Sequence, residues 1–169
     1  QGRPVAQGEV GEICVRGPLL MSGYWKEPEL TARCFVDGWL RSGDLAYEDE
    51  RGYYFIVDRA KDMIVSGGFN VYPKEVEDVI AQHPDVASVA VIGVPDTLWG
   101  EAVKAIVVCR PGHLVEARSL IELVRERKGP VMAPKSVDFV PELPQTGLGK
   151  VDKKALRARY WADTPRSVN

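Results

Sequence analysis

A glycine-rich loop with one lysine is the segment of this sequence best suited to chemistry. The loop spans Pro144–Lys150, with the sequence PQTGLGK, and a helix-like run follows it directly. Gly147 and Gly149 permit positive φ angles that bulkier residues resist, and the proline stiffens the start of the loop. A lysine ammonium on such a loop can neutralise a phosphate or carboxylate oxygen in a site outside its own fold.

The residue types of this loop leave two interpretations open. Most lysines in glycine-rich surface loops are only solvated, so an ordinary surface turn is the first, and an active lysine is the second. A Walker phosphate-binding loop is a poor match, because Val151 stands where Ser or Thr should follow the Gly-Lys pair. Motifs that lie upstream decide between the two interpretations.

The composition of the chain excludes several classes of protein. Its 169 residues, 45% of them hydrophobic, suffice for one ordinary domain or for one domain plus part of another. The 22 basic and 24 acidic residues nearly cancel, so we expect no nucleic-acid partner. No apolar run is long enough to span a membrane. The sequence starts at Gln1 without an initiator methionine or a signal peptide, so we expect a piece of a longer protein.

The cysteines and histidines indicate neither a disulfide framework nor a metal centre. Cys14, Cys34 and Cys109 are odd in number and widely spaced, which is typical of reduced thiols in a cytoplasmic protein. His83 and His113 have no metal-ligand spacing to each other or to a cysteine. We therefore predict a cytoplasmic location and no structural zinc or other metal site.

The first 60 residues carry the pattern of an antiparallel β structure with tight turns. The Asp37-Gly38 pair between two short apolar runs is a strong β-hairpin signal, and a second turn spans Asp49–Gly52. The expected elements are a strand over residues 9–15, a short helix over 29–34, the hairpin, and a strand over 53–57.

A charged segment, residues 58–62, separates this region from a small α/β region. Pro73 suits the first turn of a helix, and Asp152 is an N-cap candidate for a last helix that carries Tyr160. The tail from Ala162 is expected to fray. The other expected elements are a hairpin around residues 66–68, a helix over 116–128 and a strand over 137–140.

Two nearly continuous apolar runs predict strands that are buried on both faces. They span residues 86–94 and 102–109, and a polar loop over residues 95–101 lies between them. The fold class that follows is α/β, with a small mixed sheet and flanking helices over residues 61–169. An antiparallel β-rich region over residues 1–60 precedes it.

Four motifs follow one another along the chain. GWLRSGD at Gly38–Asp44 is followed by VDRAKDMI at Val57–Ile64, by SGGFNVYPKEVE at Ser66–Glu77 and by the loop at Pro144–Lys150. Together they resemble motifs of the adenylate-forming, AMP-binding enzymes, which include acyl-CoA synthetases, luciferases and the adenylation domains of peptide synthetases. Each motif alone is weak, but four in this order and spacing, over residues 8–160, are highly specific.

The resemblance implies a place for this chain in a larger enzyme. The motifs resemble, in order, the family's Thr/Ser-Gly-Asp motif, its hinge motif, a motif of acyl-CoA synthetases and the catalytic-lysine loop. Residues 1–60 would be the β-rich end of the large N-terminal domain, and residues 61–169 the mobile C-terminal domain. The rest of the N-terminal domain would carry the phosphate loop, the carboxylate pocket and most contacts to Mg²⁺, and it would be the protein partner of this chain.

The resemblance assigns ATP binding to three residues. Asp44 matches an aspartate that accepts hydrogen bonds from both ribose hydroxyls, which suits a carboxylate because its oxygens are acceptors only. Arg59 matches an arginine that also reaches the ribose. Without the family, Asp44 would be a solvated turn residue and Arg59 the ion-pair partner of Asp58 or Asp62. Lys150 matches the catalytic lysine that bridges the substrate carboxylate and the α-phosphate.

The resemblance also assigns a hinge and a CoA-binding face. Lys61 matches the hinge residue, although its chemistry alone indicates an ordinary linker lysine. Gly67 and Gly68 match a loop that lines the pantetheine tunnel, where missing side chains let backbone amides approach a narrow ligand. A plain hairpin turn is their alternative. Trp99 matches an aromatic residue near the nucleotide end of CoA in some members, and its alternative is a half-buried anchor. Some members of the family carry lysines at the positions that Val65 and Gly67 occupy in this chain. The contacts that those lysine side chains make to CoA are therefore absent here.

The implied function is that of an ATP-dependent acyl-CoA synthetase, an acid–thiol ligase. A carboxylic acid and Mg-ATP give acyl-AMP, the C-terminal domain rotates about Lys61, and the CoA thiol then attacks the acyl-AMP. We expect the 169-residue chain to be inactive alone. A medium- or long-chain fatty acid is the first expectation for the acid, with aromatic and small dicarboxylic acids open. The alternatives are an adenylation domain that loads a carrier protein and a stand-alone module that binds CoA or a partner.

Overall fold

The computed structural model describes residues 2–161, which form two compact units. The first unit ends at Ala60 and the second begins at Lys61, inside the charged segment at which the sequence changes character. Each unit has a sheet of its own. The tail from Ala162, for which the sequence predicts fraying, lies outside the described residues.

The first unit is a four-stranded antiparallel sheet with one short helix, as the sequence predicts. Its central strand, β3, pairs with each of the other three strands. Asp37 and Gly38 both have positive φ angles, 51° and 79°, which a tight two-residue hairpin turn requires. The elements are β1 (Gly11–Val15), α1 (Pro28–Cys34), β2 (Phe35–Val36), β3 (Trp39–Glu48) and β4 (Tyr54–Arg59).

The second unit is a five-stranded mixed sheet with three helices, which confirms the predicted class. Strand β8 pairs antiparallel with β5 and β7 and parallel with β9, and β6 forms a hairpin with β5. The strands are β5 (Ile64–Ser66), β6 (Phe69–Val71), β7 (Val86–Asp96), β8 (Gly100–Cys109) and β9 (Ser136–Phe139). The helices are α2 (Pro73–Ile80), α3 (Ala117–Lys128) and α4 (Lys153–Ala158).

Alternate residues of β7 and β8 contribute to two separate hydrophobic cores, because side chains of a strand point to opposite faces of the sheet. One core includes Val91 and Val103 and contains the buried residues of α2 and α3. The other includes Ile92 and Ile106 and contains Leu156 of α4. Burial on both faces explains the continuous apolar runs, although these two strands are antiparallel to each other.

The predicted polar loop over residues 95–101 exists but is too long. Strand β7 continues to Asp96 and β8 begins at Gly100, so only three residues connect the strands. The Asp96 carboxylate accepts the backbone N–H groups of Leu98 and Trp99, which closes a tight turn. Glu101 is consequently a buried strand residue, only 2% exposed.

The last helix begins where the sequence predicts but is shorter. The Asp152 side chain accepts the N–H of Ala155 at 2.9 Å, which confirms the predicted N-cap. The helix ends at Ala158, so Tyr160 follows the helix rather than belonging to it. Within residues 2–161, no helix is both long and apolar enough to cross a membrane.

Candidate functional site

An ion pair joins the two predicted ribose-binding residues in the first unit. The register of β3 and β4 sets Asp44 opposite Arg59, and the Nε atom of Arg59 lies 2.8 Å from Oδ1 of Asp44. Within the first unit, the observed ion-pair partner of Arg59 is thus Asp44. Both side chains are partly exposed, at 30% for Asp44 and 53% for Arg59, so a ligand can approach the pair.

Neighbouring hydrogen bonds hold the backbone beside this pair. Gly43 has a φ of +75°, donates its N–H to Oε1 of Glu12 at 3.0 Å and accepts the N–H of Ala60 at 2.8 Å. The N–H of Asp44 donates to the Ser42 hydroxyl. Arg41 binds the same Glu12 carboxylate, which raises the pKa of the guanidinium through the hydrogen bond and the charge of Glu12. The result is a fixed carboxylate with an adjacent cation, which suits a vicinal diol.

The predicted catalytic lysine lies at the end of a tight, exposed loop in the second unit. Thr146 donates its N–H to the Lys150 carbonyl at 2.7 Å and accepts the N–H of Gly149 at 2.9 Å. Gly149 adopts the expected positive φ of 74°, whereas Gly147 does not. Leu148 at the tip is 88% exposed. Within the described part of this unit, residues 61–161, the Lys150 ammonium has no hydrogen-bond or ion-pair partner.

The base of this loop is fixed to the second unit. Gln145 and Val151 form an isolated β-bridge, and Asp152 donates its N–H to the Pro144 carbonyl at 2.8 Å. Helix α4 follows, with Leu156 fully buried. The Lys150 side chain therefore extends from a loop whose two ends are held.

The segment after α4 is held by a polar cluster on β8 and β9. The Asp138 carboxylate accepts hydrogen bonds from Lys104, at 2.7 Å, and from the Tyr160 hydroxyl. These two donors lower the pKa of Asp138, Lys104 first. Burial and the hydrogen bond to Asp138 raise the pKa of Tyr160 to about 12. Trp161 donates its indole N–H to the Gly93 carbonyl.

The residues predicted for CoA meet at the hairpin of β5 and β6. A Cβ atom on Gly67 would come within 2.6 Å of the Trp99 ring, so the ring lies directly on the glycine. Gly67 donates its N–H to the Trp99 carbonyl at 2.9 Å. Gly68 is adjacent, with a φ of +84° and open space where a Cβ would stand. The glycines and the tryptophan thus form one surface, and Trp99 is 41% exposed.

Two residues next to this surface escaped the sequence analysis. The Lys135 ammonium lies 5.2 Å from the centroid of the Trp99 ring, within cation–π range, and is also bonded to the Pro130 carbonyl. Glu101 accepts the N–H of Val65 at 3.2 Å and so links β8 to the strand before Gly67. No local pattern indicates Lys135, whereas the position of Glu101 directly before a long apolar run was a signal for it.

Lys61 is the first residue of the second unit and is exposed in a turn. The next residue, Asp62, is buried and paired with Arg157 of α4 at 2.7 Å. The hinge role of Lys61 stays a prediction.

A family model described as the AMP-binding enzyme C-terminal domain matches residues 75–150. The chain is therefore similar, over these residues, to the C-terminal domain of AMP-binding enzymes. Trp99, Glu101, Lys135 and Lys150 all lie within the matched span.

Known proteins resemble the chain well beyond the matched span. A medium/long-chain-fatty-acid–CoA ligase, FadD8 of Mycobacterium tuberculosis, is 59% identical over an alignment that covers 99% of this chain and 30% of the ligase. A feruloyl-CoA synthase of Amycolatopsis is 50% identical over 94% of this chain and 32% of its own length. The amide bond synthetase McbA of Marinactinospora thermotolerans has a TM-score of 0.85 and 44% identity, over 94% of this chain and 33% of that structure. The chain therefore spans about a third of the length of its relatives.

Proposed function

We propose that this chain is part of an AMP-forming acyl-CoA synthetase. In the first half-reaction, a carboxylate oxygen attacks the α-phosphorus of ATP and pyrophosphate leaves. In the second, the sulfur of CoA attacks the acyl carbon and AMP leaves. The match of residues 75–150 to the C-terminal domain of AMP-binding enzymes supports this reaction class, and so do the two relatives that are named for acyl-CoA formation.

The observation that carries the proposal is that the Lys150 ammonium has no partner among the described residues 61–161 and lies on a loop that is fixed at its base. An ammonium that forms no internal ion pair is available to the carboxylate and the α-phosphate, whose mutual repulsion it offsets. It also stabilises the charge that develops as the new bond forms. Removal of one such preorganised group typically costs about 10² to 10³ in rate.

The Asp44–Arg59 pair is the proposed ribose contact. Arg59 occupies Oδ1 of Asp44, and the carboxylate has further lone pairs for the two hydroxyls of a ribose. Arg59 fixes the orientation of the carboxylate. Mg²⁺ would arrive with ATP, and within residues 2–161 no group of three or more His, Cys, Asp or Glu residues is arranged to hold a metal ion. No step is therefore assigned to a metal held by this chain.

The surface of Gly67, Gly68 and Trp99 is the proposed CoA-binding face. Its glycine turn allows close approach of a narrow pantetheine arm to the backbone. Its indole ring offers a platform for an adenine ring, and Lys135 supplies a cation beside that platform for a phosphate. This face favours a CoA thiol over the thiol of a carrier protein or an amine as the acceptor.

We propose that the first unit is the end of a larger N-terminal domain and that the second unit rotates about Lys61. Support comes from the coverage of the relatives and from the first unit's apolar surface, on which Tyr53, Tyr54 and Ile56 are each more than 60% exposed. The cysteines at positions 14, 34 and 109 are free thiols, which fits the proposed cytoplasmic location. The isolated 169-residue chain would then be inactive.

The test separates the two half-reactions in the full-length protein that contains these residues. ATP–pyrophosphate exchange reports acyl-AMP formation, and supplied acyl-AMP with CoA reports thioester formation. We expect Lys150→Ala to lower exchange about 100-fold or more while thioester formation changes less than about threefold. Lys154→Ala, which removes an exposed lysine of α4, is the matched control and should leave both rates unchanged. Equal loss of both steps in Lys150→Ala would contradict the proposal.

We propose a medium- or long-chain fatty acid as the substrate, because the relative at 59% identity is named for such acids. A panel of fatty, cinnamic and small dicarboxylic acids in the exchange assay decides the class. Parallel assays with CoA, a carrier protein and an amine as acceptors then test the CoA face. Transfer to a carrier protein or to an amine in preference to CoA would replace the proposed acceptor without changing the first step.

A further inference from the structure

Helix α4 is too short to hold the Lys150 loop by itself. It has six residues, Lys153–Ala158, and isolated helices of this length are unstable in water. Its only fully buried side chain is Leu156, which packs into the core that contains Ile92 and Ile106. One apolar contact allows the helix to rotate about its own axis. Further contacts must therefore set the angle at which the loop extends.

Two largely buried ion pairs provide these contacts. Lys153 Nζ lies 2.7 Å from Oε1 of Glu77, and Arg157 Nη1 lies 2.7 Å from Oδ1 of Asp62. The four side chains are only 12 to 17% exposed, so water screens these pairs much less than it screens surface pairs. Positions 153 and 157 are one helical turn apart and share one face of α4.

The acidic partners are themselves fixed in different parts of the unit. Glu77 lies on α2, and its Oε1 atom also accepts the N–H of Val91 at 2.7 Å, so this carboxylate links α2, β7 and α4. Asp62 lies next to Lys61, 95 residues before Arg157 in the sequence. The Arg157–Asp62 pair is therefore a direct link between the first residues of the second unit and the helix that follows Lys150.

We propose that the Arg157–Asp62 pair is a positioning device for acyl-AMP formation. It fixes α4 to the segment beside Lys61, so that a rotation at Lys61 carries the Lys150 loop to the reacting atoms as part of one rigid body. In this role Arg157 and Asp62 act through Lys150 and not on the substrate or nucleotide directly. This role rests on the proposed function of Lys150 and Lys61 and adds to it the coupling between them.

The test compares Arg157→Gln, Asp62→Asn and the double variant with wild type in both half-reactions of the full-length protein. We expect each single variant to lower ATP–pyrophosphate exchange about tenfold, with a change of less than twofold in thioester formation from supplied acyl-AMP. The double variant should lose about as much as one single variant, because the two residues act as a unit. Lys154→Gln, on the exposed side of the same helix, is the control and should match wild type.

A role of the Arg157–Asp62 pair in stability alone would affect the rates of both half-reactions and not only that of acyl-AMP formation. If the pair only stabilises the fold, both half-reactions fall in proportion to the fraction of unfolded protein, and that result would overturn the proposal. Arg157→Lys retains the charge with a single donor group and serves where Arg157→Gln fails to fold. We expect Arg157→Lys to lower ATP–pyrophosphate exchange about threefold and to leave thioester formation unchanged. Wild-type rates of both half-reactions in this variant would also overturn the proposal.

Hydrogen exchange at the loop gives a readout that is independent of activity. Release of α4 should speed amide exchange at Gly149 and Asp152 in Arg157→Gln and leave the amides of β7 unchanged. Unchanged protection at both loop amides would contradict the positioning role.

The Lys150→Ala variant, assayed in parallel for ATP–pyrophosphate exchange, separates this proposal from the proposed function. If Lys150→Ala retains full ATP–pyrophosphate exchange, the proposed function itself fails. If Lys150→Ala loses activity but the pair variants do not, only the positioning role fails.

Discussion

Two tight turns of the second unit, the Lys150 loop and the Gly67 turn, are proposed to bind ligands and are built in different ways. The Lys150 loop is closed by its own backbone hydrogen bonds, and an added Cβ at Gly147 or Gly149 would meet nothing within 4 Å. The Gly67 turn lies beneath the Trp99 ring, with 2.6 Å between the ring and the position of an added Cβ. One turn extends a charge from a fixed base, whereas the other offers a flat surface that depends on its neighbours. Substitutions at the tip of the loop should therefore be tolerated, and substitutions under the ring should not.

The largest expected effect separates the base of the Lys150 loop from its tip. Leu156→Ala removes a fully buried side chain from a packed core and should lower the free energy of unfolding by about 3 kcal/mol. Leu148→Ala, at the exposed tip, should change it by less than about 0.5 kcal/mol. Urea unfolding of the chain, followed by circular dichroism, measures both. Similar losses in the two variants would mean that the tip is packed and would remove the contrast with the Gly67 turn.

The next effect tests the dependence of the Gly67 turn on Trp99. Both Gly67→Ala and Gly68→Ala place an alanine at positive φ, which costs about 1–2 kcal/mol. Only Gly67→Ala also displaces the indole ring, so its total cost should be about 2–3 kcal/mol. The same unfolding experiment measures the difference between the two variants, and equal costs would show that the ring does not press on the turn.

A third effect concerns the carboxylate that links this turn to β8. Glu101→Ala leaves the N–H of Val65 without its acceptor and should cost about 1–2 kcal/mol. Glu101→Gln retains an amide oxygen that can accept the same hydrogen bond, so a smaller loss is expected. Hydrogen exchange at Val65 should accelerate in the alanine variant and much less in the glutamine variant. Equal exchange rates in the two variants would remove Glu101 from the support of the turn.

The smallest effect at neutral pH concerns Tyr160, behind α4. Its pKa is raised to about 12, chiefly by burial and then by the hydrogen bond to Asp138. The folded state therefore retains a proton that the unfolded state loses near pH 10, and the free energy of unfolding falls as the pH rises from about 10 to about 12. Tyr160→Phe should lack this part of the fall, measured by urea unfolding across that pH range. Identical pH profiles for the variant and wild type would contradict the assignment.

Asp138 gives the matching effect at acid pH. Its pKa is lowered, first by Lys104 and then by Tyr160, so the stability it contributes is present above its unfolded pKa. That contribution is lost as the pH falls through the lowered value. In Asp138→Asn the free energy of unfolding, measured by urea unfolding at a series of pH values, should therefore fall less steeply at acid pH than in wild type. The same fall at acid pH in the variant and in wild type would show that the cluster of Asp138, Lys104 and Tyr160 does not hold the segment after α4.

Local patterns predicted much of the molecule, because the devices that begin and end its elements are themselves local. Pro73 opens α2, Asp152 caps α4 and Asp37-Gly38 forms a hairpin, each for a reason confined to a few neighbouring residues. The loop at 95–101 was predicted too long because an acidic residue looks polar in a sequence, whereas Glu101 is buried against β5.

Contacts between distant residues could not be predicted. The Asp44–Arg59 pair needs the register of β3 and β4, which includes an irregularity beside Leu45. Lys135 reaches Trp99 only because β9 runs parallel beside β8. No periodicity encodes either pairing, so the sequence could name the site residues by resemblance but not their partners.

The most direct test of the account crosses one variant from each turn with each half-reaction in the full-length protein. Lys150→Ala should lose acyl-AMP formation by about 100-fold or more and retain thioester formation. Trp99→Ala should retain acyl-AMP formation and lose about tenfold in kcat/KM for CoA, the equivalent of about 1.4 kcal/mol. That opposite pattern would establish two faces with separate tasks on one small unit. If each variant slowed both steps by the same factor, the two turns would not serve separate half-reactions and the central claim would be wrong.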